Sequence, residues 1–386
     1  MPNSAASRLV LGHYSEQVVI DTARETLRAA GGHVSCGFVF ASADYRPHLA
    51  DFLELIQLHG HVPILAGCSG VGLVGTGAEA EGATGFSLLL LDLPETELHT
   101  VELTAADTEN STATPDYWHR TTGVRGVDAW TVLADPTAFP VEPWLNEWNA
   151  AYPGVASIGG ISSGGKRGDD IFLMRDRHII EGAVAIGYKG GVRVETLVSQ
   201  GCRPIGEPFT ITGAEQNFVL SLGSRPAYEI LQETFEALPD SDKELAQGNI
   251  FAGLAVSEYV DEFKTGDFLV RNLLGADPEH GVLALGAYPR VGQTLQFQLR
   301  DRRSADTELR HLAAQKEIRP FASLLFPCSG RGKHLFGTAN HDAEVLRETF
   351  GSHPSAGFFC NGEIGPVGGK NFVHGYTASA ALFANL

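Results

Sequence analysis

Two stretches near the C-terminus decide the fold: Phe326-Pro-Cys-Ser-Gly-Arg331 and Gly357-Phe-Phe-Cys-Asn-Gly-Glu-Ile-Gly-Pro366. Each ends an apolar, strand-like run in a polar, glycine-rich turn that carries a cysteine, and the helix-like segment 342–350 lies between them. A strand–helix–strand unit with parallel strands brings both turns to the same end of a sheet. The sequence therefore predicts a ligand site at this end, built from the residues of the two turns.

The same order of strand, helix and strand recurs along the chain. Its copies cover residues 38–68, 131–160, 227–256 and 323–360. Copies about a hundred residues apart are too long for a solenoid and indicate a duplicated α/β fold. We therefore predict duplicated strand–helix–strand units that form two related mixed-sheet domains, residues 1–222 and 223–386, with the candidate pocket in the second.

The segment Gly70-Val-Gly-Leu-Val-Gly75 has the glycine spacing of a dinucleotide-binding turn. That turn requires a helix that begins inside the glycines, because the helix N-terminus binds the pyrophosphate. Residues 76–85, which follow, are too rich in glycine for such a helix. We therefore predict no dinucleotide site here.

The composition of the chain limits the kinds of molecule that it is expected to bind. The net charge of −18 disfavours nucleic acid and anionic membranes, because phosphate binding depends on basic patches. No apolar run approaches the length of a membrane span, and the start of the chain lacks the features of a signal peptide. The five cysteines form no CxxC pair, and the fourteen histidines show no metal-binding spacing. We expect a cytoplasmic protein of a GC-rich bacterium that binds a small molecule and neither metal, nucleic acid nor membrane.

Four segments resemble the FIST family, which is named for F-box and intracellular signal transduction proteins. They are Ala66-Gly-Cys-Ser69, Gln200-Gly-Cys-Arg-Pro-Ile-Gly-Glu207, Phe268-Leu-Val-Arg271 and the second turn, residues 357–366. The resemblance covers roughly residues 30–385 and implies tandem FIST N and FIST C domains. It also implies an intracellular sensory module for small metabolites such as amino acids. Because the chain shows no F-box, kinase or cyclase segment, we expect its signal to pass through a separate partner protein.

The chain departs from the family pattern at one place. Gly72-Leu73 stands where the family's N-terminal segment commonly carries a Gly-Glu pair. We therefore expect the pocket of the first copy to be degenerate and the C-terminal copy to hold the ligand.

Charged residues near the C-terminal turns suit an amino acid. Arg331 and Arg271 are candidates to hold an anion, because a guanidinium matches a carboxylate with two parallel hydrogen bonds. An ion pair at the surface or between domains is an equally good interpretation of each arginine. Glu363 is a candidate partner for a ligand ammonium group, and its alternative role is that of an exposed turn carboxylate.

The remaining candidates are neutral or weakly basic. Cys328 and Cys360 could act as nucleophiles if a neighbouring cation lowered their pKa, with His334 or His374 as the base. Small buried hydrophobes are the more common role of such cysteines. Ser329 and Asn361 could supply hydrogen bonds to a ligand, or could simply form the turns. We assign Arg271, Cys328, Ser329, Arg331, Cys360, Asn361, Glu363 and His374 to the ligand site.

Three functions remain open from the sequence. The first is a non-catalytic sensory module that binds an amino acid or a similar polar metabolite. The second is a haem-binding nitric-oxide sensor, which the family resemblance implies for some members, although no particular histidine is selected as the iron ligand. The third is a cysteine-dependent hydrolase, which we rank last because no residue is identified to orient its histidine. We therefore expect a binding module rather than an enzyme.

Overall fold

The computed structural model describes residues 2–164, 170–259, 263 and 266–386. Contacts among them divide the chain into two compact units, Met1–Val198 with Arg310–Leu386, and Ser199–Leu309. Helices alternate with mixed sheets in the first unit, which confirms the predicted α/β class. The predicted domain boundary near residue 222 lies inside the second unit and stays a prediction.

The first unit contains three repeats of one order of elements within its described residues. The first repeat comprises β1 (Ser4–Leu11), α1 (Glu16–Ala29), β2 (Cys36–Ala41), α2 (Leu49–Gly60), β3 (Leu65–Ser69), β4 (Gly72–Gly75), β5 (Ala78–Glu81) and β6 (Gly85–Asp92). The second comprises β7 (Glu97–Leu103), α3 (Ala105–Glu109), α4 (Pro115–Thr122), β8 (Ala129–Ala134), α5 (Val141–Ala151), β9 (Ala156–Ile161), β10 (Leu173–Arg175), β11 (His178–Ile180) and β12 (Ala183–Lys189). The third begins with β13 (Arg193–Ser199).

The second unit interrupts the third repeat. It runs through β14 (Cys202–Pro204), β15 (Phe209–Glu215), β16 (Phe218–Leu222), β17 (Arg225–Pro226), α6 (Ala227–Glu236), α7 (Asp240–Ala246), β18 (Ile250–Ala255), β19 (Phe268–Asp277), β20 (Val282–Leu285), β21 (Thr294–Arg300) and into α8 (Arg302–Ala314). Among the described strands, β21, β15, β16, β20, β19 and β18 pair in this order, and β18 also pairs with β21. The six strands thus close into an antiparallel barrel around an apolar core. The copy expected at 227–256 differs from the prediction, because α6 leads to a strand, β18, whose two neighbours are antiparallel.

The third repeat then resumes in the first unit. It continues through β22 (Ala322–Pro327), α9 (Lys333–Phe336), α10 (His341–Phe350), β23 (Ser355–Phe358), β24 (Gly362–Val367), β25 (Lys370–His374) and β26 (Ala378–Ala384). The predicted copies at 38–68, 131–160 and 323–360 are confirmed, because β2 with β3, β8 with β9 and β22 with β23 are parallel pairs joined by helices.

The repeats exchange hairpins. Among the described strands, the sheet orders are β1-β6-β2-β3-β10-β11, β7-β12-β8-β9-β24-β25 and β13-β26-β22-β23-β4-β5. In each sheet the last two strands are a hairpin that comes from another repeat. The strands β4 and β5 also occupy the glycine-rich segment in which a dinucleotide site would need a helix. The exchange ties the three repeats of the first unit together.

One glycine marks the same register position in each parallel pair: Gly67, Gly159 and Gly357. A Cβ atom built there would lie 1.8 Å from the carbonyl oxygen of the facing residue, which is Val39, Val132 or Leu325. Any side chain would therefore push the two strands apart. The repeated glycine is a sequence signature of the close parallel pair.

Buried side chains from all three sheets of the first unit meet in one apolar core. Within it, the ring of Phe358 lies 5.0 Å from that of Phe40 and 5.8 Å from that of Phe326. No helix in the described part of the chain is long and apolar enough to cross a membrane. The predicted cytoplasmic location stays a prediction.

Candidate functional site

The candidate site lies where β22 and β23 end side by side. Just beyond the two strands, Cys328 and Cys360 face each other in an isolated parallel bridge. The N–H of Cys360 donates to the carbonyl of Pro327 at 2.7 Å, and the N–H of Ser329 donates to the carbonyl of Cys360 at 3.0 Å. The two turns quoted at the outset are therefore adjacent, as their strand–helix–strand pattern predicts.

The corresponding turns of the other two repeats reach the same place. The N–H of Asn361 in the third repeat donates to the carbonyl of Ile161 in the second at 3.0 Å. The N–H of Ser163 in the second repeat donates to the carbonyl of Ser69 in the first at 3.3 Å. These backbone hydrogen bonds join the first repeat to the second and the second repeat to the third. We call the region formed by Ser69, Ile161, Ser163 and Asn361 the junction.

A serine hydroxyl closes the junction between the first and third repeats. The hydroxyl of Ser163 accepts a hydrogen bond from the N–H of Val71 at 3.0 Å and donates to the carbonyl of Phe359 at 2.5 Å. Ser163 is 1% exposed, and its bond to Phe359 is buried while the bond from Val71 is part-buried. Sequence reasoning missed Ser163, whose partners are 92 and 196 residues away along the chain.

The exposed part of the third repeat at the junction is polar. Ser329 and Asn361 both lie at the surface, while the neighbouring Cys328 and Cys360 are buried. Neither exposed side chain has a hydrogen-bond partner among residues 2–164, 170–259, 263 and 266–386. A hydroxyl and an amide are therefore available to a ligand beside the two turns.

Arg331 is occupied by a carboxylate of its own repeat. Its Nε and Nη2 atoms donate to the two carboxylate oxygens of Asp342 at 2.7 and 2.8 Å, and both residues are buried. Burial alone would raise the pKa of Asp342, but the charge and hydrogen bonds of Arg331 hold it well below its usual range. The guanidinium also lies 5.2 Å from the ring centroid of Phe336. The ion pair is therefore buried within the third repeat, neither at the surface nor between domains as the alternative interpretation had it, while the role of Arg331 in ligand binding stays a prediction.

A carboxyl of the first repeat caps helix α10 beside this pair. The N–H of Ala343 donates to Glu79 at 2.9 Å, and the N–H of Glu79 donates to the side chain of Asn340 at 2.7 Å. This reciprocal arrangement resembles a capping box formed between two distant segments. Burial, together with repulsion from Asp342, raises the pKa of Glu79 to about 8 in spite of Arg331 nearby. The sequence analysis missed Glu79. The alternation Ala78-Glu-Ala-Glu81 is only a weak indication of the strand that carries it.

Glu363 and His374 lie in the interior, not at the surface of a turn. They face each other across the hairpin of β24 and β25, and they are 0% and 2% exposed. Glu363 accepts a hydrogen bond from the N–H of Thr377 at 3.0 Å, and the Nε2 atom of His374 lies 3.0 Å from the carbonyl of Gly365. The alternative role of Glu363 as an exposed carboxylate is therefore wrong.

Cys360 at the junction is a poor nucleophile. Burial raises the pKa of the Cys360 thiol well above its usual value, and the nearby Glu363, Cys68 and Cys328 raise it further. A thiol attacks as its thiolate, which this environment disfavours. His334 is exposed in α9, whereas His374 is buried in β25. These surroundings favour the role of Cys360 as a small buried hydrophobe.

Arg271 belongs to the second unit. It lies in β19, opposite Ala252 of β18, and is half-buried in the barrel wall. The other seven predicted residues lie in the first unit, close to the ends of β22, β23 and β25. The assignment of Arg271 to the ligand site stays a prediction.

Comparison with known protein families identifies both halves of the chain. The FIST N domain matches residues 35–225, and the FIST C domain matches residues 227–366. The chain belongs to the FIST family. FIST domains are generally considered small-ligand sensory modules in signalling proteins.

The chain is also similar to mycobacterial proteins and, weakly, to one solved structure. An uncharacterized protein of Mycobacterium tuberculosis is 37% identical over 368 residues, which cover 94% of each chain. An uncharacterized protein of Mycobacterium bovis is 42% identical over 262 residues, which cover 67% of this chain and 68% of the relative. The crystal structure of a cyanuric acid hydrolase from A. caulinodans aligns with all of both chains at 9% identity and a TM-score of 0.35, a likeness that carries no functional argument.

Proposed function

We propose that this FIST protein is a sensory module for a small polar metabolite, such as an amino acid, and that it signals through a separate partner protein. The ligand binds at the junction, beside the ends of β22 and β23. The observation that carries the proposal is the pair of exposed residues Ser329 and Asn361, which directly follow the bridged Cys328 and Cys360 and whose side chains have no hydrogen-bond partner among the described residues. Both belong to turns whose ends are otherwise held by hydrogen bonds.

The proposed site has polar residues at its surface and buried residues beneath them. Ser329 and Asn361 contact the ligand, and the residues beneath and behind them shape the site. These supporting residues are Cys328, Cys360, Glu363, His374 and, through its ion pair with Asp342, Arg331. Buried groups that are fixed by hydrogen bonds hold a site in one geometry, which reduces the entropic cost of binding.

The junction also suggests how binding is transmitted. Asn361 is hydrogen-bonded through its backbone to Ile161 of the second repeat, and Ser163 bonds to both other repeats. A ligand held by Asn361 therefore acts where all three repeats are joined. A change in the population of junction conformations would alter surfaces on each repeat at once.

The test begins with native mass spectra of the purified protein before and after denaturation, to detect a co-purified small molecule. A panel of amino acids and polar metabolites is then screened by thermal shift against wild type, Asn361→Ala and Ser329→Ala. The exposed Asn110 and Ser352 supply matched controls, Asn110→Ala and Ser352→Ala. We expect the site variants to lose binding and the controls to keep it. A ligand that binds all five proteins equally would contradict the proposed site.

A further inference from the structure

Exposed apolar side chains are concentrated on the second unit. More than half of the large apolar residues that are exposed in the described part of the chain lie there, although this unit spans only Ser199–Leu309. Three of them come from two strands of the barrel. Phe218 and Leu220 of β16 are 41% and 39% exposed, and Leu274 of β19 is 63% exposed. Single apolar residues are normal on a protein surface, whereas a contiguous group marks a binding surface.

These three residues lie on one outer face of the barrel. The residue between Phe218 and Leu220 is buried in the barrel core, so both side chains point away from that core. Ala284 of β20 pairs with Phe218 on one side and with Gly275 on the other, and Leu274 directly precedes Gly275. A Cβ atom built on Gly275 would meet no atom within 4 Å, so the surface there is open. We call the surface formed by Phe218, Leu220, Leu274 and Ala284 the barrel face.

The barrel face offers side chains rather than a strand edge. Its middle strand, β20, is paired with β16 and β19, and these two are paired in turn with β15 and β18. The backbone groups of the face are therefore used inside the sheet, and a partner cannot add a strand to it. A partner has to bind through the apolar side chains themselves.

The charge around the barrel face is negative. The segments that form it, residues 209–222 and 272–289, contain three acidic residues and neither lysine nor arginine. The acidic residues are Glu215, Asp277 and Glu279. Glu215 pairs with Phe218 across β15 and β16, and Asp277 lies at the end of β19. Negative charge beside an apolar surface attracts a basic partner and repels a second copy of this face, nucleic acid or an anionic membrane.

We infer that the barrel face binds the partner protein through which the module signals, and that this partner presents large apolar side chains flanked by lysine or arginine. The inference rests on the proposed function, because that function requires a separate partner. The apolar side chains of the two proteins supply the buried contact area. The carboxylates around the face favour a basic partner over an acidic one.

Three peptides of equal length test the chemistry of the partner. The first is an amphipathic helix with leucine on one face and lysine on both sides of it. The second carries glutamate in place of each lysine, and the third carries serine in place of each leucine. In fluorescence anisotropy with the full chain, the leucine–lysine peptide should bind about tenfold or more tightly than either of the others. Equal binding of the leucine–glutamate peptide, or no binding of the leucine–lysine peptide, would overturn the inference.

Matched variants locate the bound peptide. Phe218→Ser combined with Leu274→Ser should weaken binding of the leucine–lysine peptide about tenfold or more. The control combines Leu11→Ser with Leu58→Ser, which removes apolar side chains that are 58% and 53% exposed in the first unit, and it should bind as wild type does. Equal affinities of the two double variants would overturn the assignment of the barrel face.

A charge exchange tests the acidic surroundings of the face. Glu215→Lys combined with Glu279→Lys should weaken the leucine–lysine peptide and reduce the salt dependence of its binding. Glu25→Lys combined with Glu317→Lys changes the net charge equally at exposed positions of the first unit and should have the smaller effect. Equal effects would show that only the net charge matters and would overturn the proposed complementarity.

Two further results separate this inference from the proposed function. In sedimentation velocity, a wild-type dimer that Phe218→Ser with Leu274→Ser abolishes would show that a second copy covers the barrel face, and would overturn the inference. Failure of the peptide experiments would leave the ligand site at the junction standing, because the metabolite screen does not depend on the barrel face. Intact peptide binding with no ligand in that screen would instead overturn the ligand site and support the barrel face.

Discussion

Replacing Glu79 with glutamine should remove a loss of stability that the wild-type protein shows as the pH rises toward 8. Glu79 is 7% exposed, and burial raises its pKa from 4.5 to about 8. Between these values the folded chain holds a proton that the unfolded chain has lost, so the free energy of unfolding falls as the pH rises through this window and is constant above it. Glutamine keeps an oxygen that can accept the N–H of Ala343, but it does not titrate.

The size of the effect follows from the pKa shift. One pKa unit corresponds to about 1.4 kcal/mol, so a shift from 4.5 to about 8 implies a decrease of roughly 4–5 kcal/mol across the window. This is an upper limit, because the folded chain can relax around a charged carboxylate. The stability of Glu79→Gln relative to wild type should therefore increase by several kcal/mol between about pH 5 and about pH 9.

Urea unfolding at a series of pH values measures this difference directly. Glu25→Gln on the exposed face of α1 is the matched control, because its carboxyl stays in water. A difference between wild type and Glu79→Gln that is flat in pH, or that has the opposite slope, would refute the argument that Glu79 is protonated in the fold.

Three further predictions concern the same unit. Asp342→Ala should lower the free energy of unfolding, measured in urea, by about 3–5 kcal/mol, because it removes the bidentate partner of the buried Arg331. A decrease below about 1 kcal/mol would contradict the ion pair. Ser163→Ala should lower the free energy of unfolding by about 1–3 kcal/mol, because the buried carbonyl of Phe359 and the part-buried N–H of Val71 lose their partner, whereas Ser352→Ala at an exposed position should have little effect. Alkylation of Cys360 by iodoacetamide, mapped by mass spectrometry, should be far slower in the folded than in the urea-unfolded protein, and equal rates would disprove its burial.

Local patterns were sufficient to predict the parallel strand–helix–strand units. Apolar runs that end in glycine-rich turns lie within a few tens of residues of each other, so their order is visible in the sequence. The same local pattern failed at 227–256, where α6 leads to a strand with antiparallel neighbours. Tertiary pairing decides strand direction, and no local signal reports it.

The exchange of hairpins could not be predicted from one sequence. Glu79 and its partner Asn340 are 261 residues apart, and their contact depends on which sheet receives the hairpin of β4 and β5. The burial of Glu363 follows from the same exchange, because β24 pairs with β9 of another repeat. By contrast, the partner of Arg331 lies only 11 residues away at the start of a helix, and an acidic residue there is a signal that could have been read.

The most direct test of the central claim is a map of the binding site in solution. Backbone and side-chain amide spectra of ¹⁵N-labelled protein would be recorded before and after addition of the low-molecular-weight fraction of a bacterial extract. The account predicts that signals of Ser329, Asn361 and their neighbours at the junction shift first. Shifts confined to other parts of the first unit or to the barrel of the second unit, or no shifts at all, would contradict a ligand site at the ends of β22 and β23.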